Sequence, residues 1–347
     1  MPVKLPPDIL RCLDHRAETL FAYSVEERHR KIADRYDVLP YMVARYEEIF
    51  DTVEEAIEFL AMKPKDILRA IRVNTLRTSK DVVREVLENK GFVLEDYWIP
   101  YTLIVIEEPL SVGATHEYMQ GLYYNQGAGS QVPVYITDPK PLQHVIDLAA
   151  APGGKATQIA QHQRDTTPII ALDISPRRLA SLKNNANRLG VKSIVALLMD
   201  AREAPRKLKQ KFDYILLDAP CTGEGLLPLD PRRRKTRTPI DLADRACLQK
   251  QMLEAALKLA KEGALIVYTT CSIAPEENEY VISIILDKYG DKVDLVDPPI
   301  KPPIYNRGIE EYNGVSFNSK VRRCIRLHPT RTRTEGFVIC VLRTRKT

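Results

Sequence analysis

Between residues 145 and 271, apolar runs alternate with helical stretches, and each run ends on a polar or reactive residue. The runs at 145–146, 169–172, 194–199, 214–217 and 265–268 lead into Asp147, Asp173, Asp200, Asp218 and Thr269-Thr270-Cys271. Helix signals fill the gaps. Ser175-Pro176 reads as an N-cap with proline at the first helical position, and Gly190 stops that helix after residue 189. A longer helix is expected over about 239–261, closed by Gly263, and Pro275-Glu276-Glu277 opens another with acids in its first turn. Such alternation predicts a doubly wound, mostly parallel sheet, an α/β Rossmann-like fold. Ligands in such sheets bind at the carboxyl ends of the strands. Five polar or reactive residues along that one edge mark it as the place of the chemistry.

The first turn along this edge reads D-L-A-A-A-P-G-G-K, Asp147 to Lys155. Gly153 and Gly154 let the backbone turn sharply beside a ligand, and a following helix aims free N–H groups at it. A Walker A loop is excluded, because Ala149 holds the first glycine position and Ala156 follows the lysine. The dinucleotide pattern G-x-G-x-x-G is absent too. Asp173, about 20 residues on, can still take ribose hydroxyls. A nucleoside without a bound pyrophosphate fits, and S-adenosylmethionine is the common one.

The next two strand ends carry thiols: Asp218-Ala219-Pro220-Cys221-Thr222-Gly223 and Thr270-Cys271-Ser272. Amino-group methyltransferases place an aromatic where Cys221 stands. A thiol beside a methyl sulfonium suits a different target, C5 of a pyrimidine. That carbon is a poor nucleophile until a thiolate adds at C6 and makes it enamine-like, a covalent form of catalysis. The step needs an acid partner near N3, for which Asp218 is the candidate. Cys271 lies between a strand end and a helix start, where a thiolate is favoured. The remaining cysteines, Cys12, Cys247, Cys324 and Cys340, show neither C-x-x-C nor zinc spacing and are expected to be reduced and structural.

The strings D-L-A-A-A-P-G-G-K, A-L-D-I-S, D-A-P-C-T-G-E-G and T-T-C-S-I-A-P-E-E-N-E resemble the motifs of the RNA (cytosine-C5) methyltransferases of the Sun family. R-V-N-T at 72–75 is similar to the family's upstream region. The likeness is to archaeal-type members without a separate C-terminal RNA-binding module. It implies an enzyme with S-adenosylmethionine as cofactor, Cys271 as nucleophile and Cys221 assisting product release. It further implies that Lys155 and Asp218 line the cytosine site. Cofactor contacts implied by it are Ala149, Ala150, Ala151, Pro152, Gly153, Gly154, Lys155, Asp173, Asp200 and Asp218, with Arg178 joining them. Ala149 departs from the cysteine many members carry there.

Charge distribution points the same way. Residues 1–120 hold 16 Lys+Arg against 22 Asp+Glu, whereas residues 301–347 hold 11 against 3. A basic face of this kind meets a polyanion. The stretches Arg232, Arg233, Arg234, Lys235, Arg237 and Arg322, Arg323, Arg326, Arg331, Arg333 are the candidates for RNA phosphates. The target cytosine must be unstacked to reach a recessed thiol, which RNA loops allow.

The organisation expected is a helical region at 1–70, a small α+β domain at 71–120 and the catalytic domain at 121–347. No run is apolar enough for a membrane span, and M-P-V-K-L-P-P-D lacks a signal-peptide core, so a cytoplasmic, monomeric, metal-free protein is expected. Tyr123 and Tyr124 are expected to serve packing alone. The RNA is tRNA by preference, with rRNA as the other choice. Two further readings stay open: a DNA cytosine methyltransferase with Cys221 as nucleophile, and a non-catalytic RNA-binding assembly factor.

Overall fold

A computed structural model describes residues 5–345; residues 1–4, which begin the stretch M-P-V-K-L-P-P-D, and residues 346–347 lie outside the described residues. The N-terminal region is helical, as expected. The single helix suggested by the apolar period over 41–60 is two helices, Pro40–Ile49 and Val53–Ala61. Thr52 starts the second by accepting from the Glu55 N–H. The period survives the break because both helices turn apolar residues to one core. Tyr46, Ile49, Phe59 and Leu60 pack in the same cluster as Ile146, Ile215 and Leu217 of the main sheet.

Strands β1 (Arg69–Val73), β2 (Val93–Asp96), β3 (Thr102–Glu107) and β4 (Tyr123–Asn125) form a small antiparallel sheet in the order β2-β3-β1-β4. Its fourth strand lies past residue 120. The sheet is fastened to the catalytic region by Arg72, fully buried, which donates to Gln126 Oε1 at 2.5 Å and Thr157 Oγ1 at 2.8 Å.

The main sheet contains β5 (Val145–Asp147), β6 (Ile169–Asp173), β7 (Ile194–Leu198), β8 (Phe212–Asp218), β9 (Ala260–Thr270), β10 (Val293–Val296), β11 (Asn306–Arg307), β14 (Ile325–Leu327) and β15 (Phe337–Thr344); β12 (Glu311–Tyr312) and β13 (Val315–Ser316) pair separately. Its order is β11-β14-β15-β9-β8-β5-β6-β7, with β10 against β15. The five strands β5 to β9 are parallel, and β15 returns antiparallel along β9. Successive strand residues face opposite sides. Tyr214 and Leu216 join Ile159 and Leu189 of one helix layer, while Ile215 and Leu217 join Leu253 and Ile282 of the other. The chain runs outward over β5-β6-β7 and then restarts beside β5 with β8. The resulting switch point opens a crevice at the carboxyl ends.

Two expectations need correction. The helix expected to open at Pro275, with Glu276 and Glu277 in its first turn, begins later. Pro275–Glu277 is a short 3-10 turn, the helix follows at Glu279–Tyr289, and Glu276, Glu277 and Glu279 are buried. Each has a tertiary partner, described below. Four cysteines expected to be reduced are instead paired as Cys12–Cys247 and Cys324–Cys340. The partners of the first pair lie 235 positions apart. They meet only because the first helix packs on Pro239–Leu259, which no sequence spacing reveals. Among the described residues no helix is long and apolar enough to cross a membrane.

Candidate active site

The glycine loop turns directly off β5. Ala150 N donates to Leu172 O and Gly153 N to Ala150 O, both at 2.8 Å, which holds the loop against β6. Gly153 has φ of 105°, a region open to glycine, and caps the helix Gly154–His162. Arg178 donates to Ala151 O and approaches Asp173 Oδ2 at 3.5 Å. Asp173 is buried; its Oδ1 accepts from Ser175 N at 2.8 Å, and its Oδ2 has no hydrogen-bond partner. A buried carboxylate oxygen with spare capacity at this strand end suits a ribose hydroxyl. Asp200, one strand further out, is held by the Arg202 backbone at 2.9 Å and its guanidinium at 2.7 Å.

Asp147 and Asp218 end the two strands flanking the switch point. Burial, reinforced by the neighbouring Asp218, pushes the Asp147 carboxyl up to about 7. Asp218 Oδ2 accepts from Lys155 Nζ at 2.8 Å. That ammonium also reaches Ser130 Oγ at 3.3 Å and lies 4.9 Å from the Phe337 ring centroid. The pair therefore has a fixed geometry.

The thiols stand side by side, Cys221 Sγ and Cys271 Sγ being 3.3 Å apart. The contact with Cys271, together with burial, pushes the Cys221 thiol up. A thiol that keeps its proton can donate to the sulfur beside it. The two loops are laced together from behind. Thr222 N donates to Glu277 Oε1 at 2.9 Å, Gln249 Nε2 donates to Pro220 O at 2.9 Å, and Gly225 N donates to Cys271 O at 2.9 Å. Burial pushes Glu277 up to about 7. Arg45, from the N-terminal helices, donates to Glu224 at 2.6 Å and to both oxygens of Glu276 at 2.8 Å, all of it buried.

A cavity of about 330 Å³ gathers much of this. Its walls include Asp147, Ala149, Ala150, Ala151, Pro152, Gly154, Lys155, Asp218 and Cys271. Cys221 is not among the lining residues, though its sulfur touches that of Cys271; Asp173, Arg178 and Asp200 are not part of this wall either. Tyr124, Gln126, Ser130, Glu335 and Phe337 also line it. No motif in the sequence marks these five positions. Tyr124, expected to pack, joins a core cluster and also faces this cavity.

The profile of the 16S rRNA methyltransferase RsmB/F family matches residues 134–343, which includes both thiol loops and the glycine loop. The chain belongs to this family. It is 34% identical over 316 residues to the mouse 28S rRNA (cytosine-C(5))-methyltransferase, covering 89% of this chain and 39% of that protein. It is also 34% identical over 300 residues to the tRNA (cytosine(49)-C(5))-methyltransferase of Pyrococcus abyssi, covering 85% of this chain and 94% of that one. Thus the chain spans about two fifths of the mouse relative and nearly all of the archaeal one. NSun6 from Pyrococcus horikoshii, crystallised with SFG, an analogue of S-adenosylmethionine, superimposes with a TM-score of 0.77 at 26% identity, over 88% of this chain and 98% of that one. The cofactor of the family is S-adenosylmethionine.

Against this family background the basic residues divide. Arg326, expected to meet phosphate, is buried and pairs with Glu279 at 2.5 Å while donating to Ile273 O. Arg234 donates to Tyr36 O and Leu60 O at 2.8 and 2.9 Å, and Arg233 and Arg237 both donate to Thr222 O. Arg331 is engaged by Asp51 and Glu55. These arginines anchor loops through carbonyls and carboxylates, and a charge run read along the sequence cannot distinguish that use from phosphate binding. Arg232 and Lys235 remain on the surface beside Asp230 and Asp37. Arg322 and Arg323 rim a hollow of about 320 Å³ with Lys301, Arg307 and Lys320.

Proposed function

We propose that this protein transfers the methyl group of S-adenosylmethionine to C5 of a cytosine in RNA through a covalent bond between Cys271 Sγ and C6 of the base. The observation that carries this reading is the placing of the thiols: Cys271 lines the same cavity as the Lys155–Asp218 pair, with the Cys221 sulfur 3.3 Å from its own. When bound, the cofactor supplies the electrophilic methyl. Asp173, whose Oδ2 accepts no hydrogen bond, and the Ala149–Gly154 turn are the groups that would hold its nucleoside.

Cys271 adds to C6 as a thiolate, assisted by a hydrogen bond from the Cys221 thiol. The 5,6 electron pair moves towards C5 as the Lys155–Asp218 pair delivers a proton to N3. After methyl transfer a water molecule takes the C5 proton, the electron pair of that C–H bond re-forms the 5,6 double bond and expels Cys271 as a thiolate, and N3 gives its proton back to the Lys155–Asp218 pair. The Cys221 thiol is placed to steady the departing thiolate. A DNA-type arrangement with Cys221 as nucleophile is disfavoured because Cys271, and not Cys221, lines the cavity. An intact reactive set argues against a purely non-catalytic assembly factor.

A tRNA substrate is favoured over rRNA because the chain matches the archaeal tRNA enzyme over nearly that protein's whole length. The hollow bounded by Lys301, Arg307, Lys320, Arg322 and Arg323 would hold backbone phosphates. Asp294, Asp297 and Glu310 partly offset it, but Arg307 has no acidic partner among the described residues.

Single-turnover reactions on a cytosine-containing RNA, run on a denaturing gel, test the proposal. Cys271→Ala should form no protein–RNA adduct and lose methyl transfer. Cys221→Ala should methylate yet accumulate an adduct. An adduct in Cys271→Ala and none in Cys221→Ala would reverse the assignment. Methylation without an adduct in either variant would remove covalent catalysis. Cofactor binding by each variant confirms that its fold is intact.

A further inference from the structure

Glu335 is a carboxylate in the catalytic cavity with no task in the mechanism above. It lies just ahead of β15, and the next residue pins it to the reaction centre. Gly336 N donates to Gly225 O at 3.0 Å, and Gly225 N in turn donates to Cys271 O at 2.9 Å. Phe337, Lys155, Asp218, Cys271 and Glu335 share one cavity. Space has been cleared for the carboxylate: a Cβ at position 127 would lie 1.3 Å from Glu335 Oε1, and one at 129 would lie 3.1 Å from Oε2. Glycine at both positions lets the backbone close over it.

The charge environment of Glu335 is unusual. Its Oε2 accepts from Gly129 N at 3.1 Å. No ion pair among the described residues includes it, and the nearby Lys155 is committed to Asp218 at 2.8 Å. A carboxylate held only by backbone amides at a reaction centre costs stability unless something else uses it. A negatively charged or neutral carboxyl keeps an acceptor oxygen in either state, so the group has something to offer a donor whatever its protonation.

We propose that Glu335 accepts a hydrogen bond from the 4-amino group of the target base and so distinguishes cytosine from uracil. The inference rests on the proposed cytosine chemistry. N3 and the 4-amino group are adjacent on the pyrimidine edge. Asp218 and Glu335 line the same cavity as the Lys155 ammonium and would provide one partner for each. Cytosine presents an N–H donor at position 4, the natural partner of a carboxylate, whereas uracil presents a carbonyl oxygen that meets the same carboxylate acceptor to acceptor. Uracil could undergo the same thiol addition and C5 methylation, so a C5 methyltransferase needs such a group to reject it.

The test compares kcat/KM on an RNA with one target cytidine, the same RNA with uridine there, and the same RNA with the nucleoside of pyrimidin-2-one, which lacks the 4-amino group. Wild type, Glu335→Gln and Glu335→Asp are measured, each checked for S-adenosylmethionine affinity. Wild type should prefer cytidine over both replacements. In Glu335→Gln, whose amide can donate to uracil O4, the cytidine-to-uridine ratio should fall by about 10- to 100-fold. The Asp variant should recover part of the preference. A lowered rate on all three RNAs with an unchanged ratio would mean that Glu335 only supports the 127–129 loop, and would overturn the proposal while leaving the cytosine chemistry standing. Methylation of none of these RNAs by wild type would instead sink the underlying function, and the base-reading role with it.

Discussion

Replacing Arg45 by Met tests whether the N-terminal helices hold the reactive loops in place. Arg45 is wholly buried and makes hydrogen-bonded ion pairs with Glu224 at 2.6 Å and Glu276 at 2.8 Å, beneath the rings of Tyr23, Tyr41 and Tyr46. Glu224 comes three residues after Cys221, and Glu276 five after Cys271, so one guanidinium clamps both loops. The Met variant keeps the volume and strands two carboxylates without a cation. Breaking a buried pair from one side costs about 3–5 kcal/mol. The pH dependence gives a second signature. Burial tends to raise the Glu276 carboxyl, but Arg45 outweighs it and holds the group below its usual value. Its contribution is therefore present above about pH 4.5 and lost as pH falls through the depressed value. In Arg45→Met the same group rises above its unfolded value and becomes a cost that grows with pH. The difference between wild type and variant should be small near pH 4 and greatest at about pH 8. Urea unfolding across this range measures it, with single-turnover methylation expected to slow about tenfold or more. Adding Glu224→Gln and Glu276→Gln to the Met variant should restore much of the stability. A loss below about 1 kcal/mol, or a loss greatest in acid, would refute the clamp.

Two other outcomes follow from the site. Asp147 and Glu277 are both pushed up to about 7 by burial, so the folded protein binds more protons than the unfolded chain between about pH 4 and pH 7, and stability should fall as pH rises through that window. Asp147→Asn should remove about half of that fall in a melting-temperature series; an unchanged slope would place the Asp147 carboxyl in contact with water. Replacing Arg307 and Arg322 by Gln should flatten the log–log salt dependence of RNA affinity by about 0.7–0.9 per contact while leaving cofactor affinity alone; an unaltered slope would make the hollow a solvated surface.

The chemistry of the edge was legible in one dimension. Each parallel strand is short, apolar and followed by its polar residue, so local pattern alone orders Asp147, Asp173, Asp218 and Cys271 along one side of the sheet. Ser175 and Gly190 bound their helix where local backbone rules put them, because caps depend on neighbours a few residues away. The long-range partners were not legible. Arg326 and Arg234 carry the same sequence signature as Arg322, yet burial assigns the first two to Glu279 and to backbone carbonyls. Glu276 and Glu277 read as helix-start acids and act as anchors for Arg45 and Thr222. Cys12 and Cys247 bond across 235 positions. Phe337, which opens the antiparallel strand β15, and Glu335, just ahead of it, both line the cavity. Motif spacing specifies which chemical groups the strand ends present, since that depends on bonds within a few residues. Which charges are buried, which pair and which remain free for a ligand depends on what packs against them, and only the folded chain brings those neighbours together.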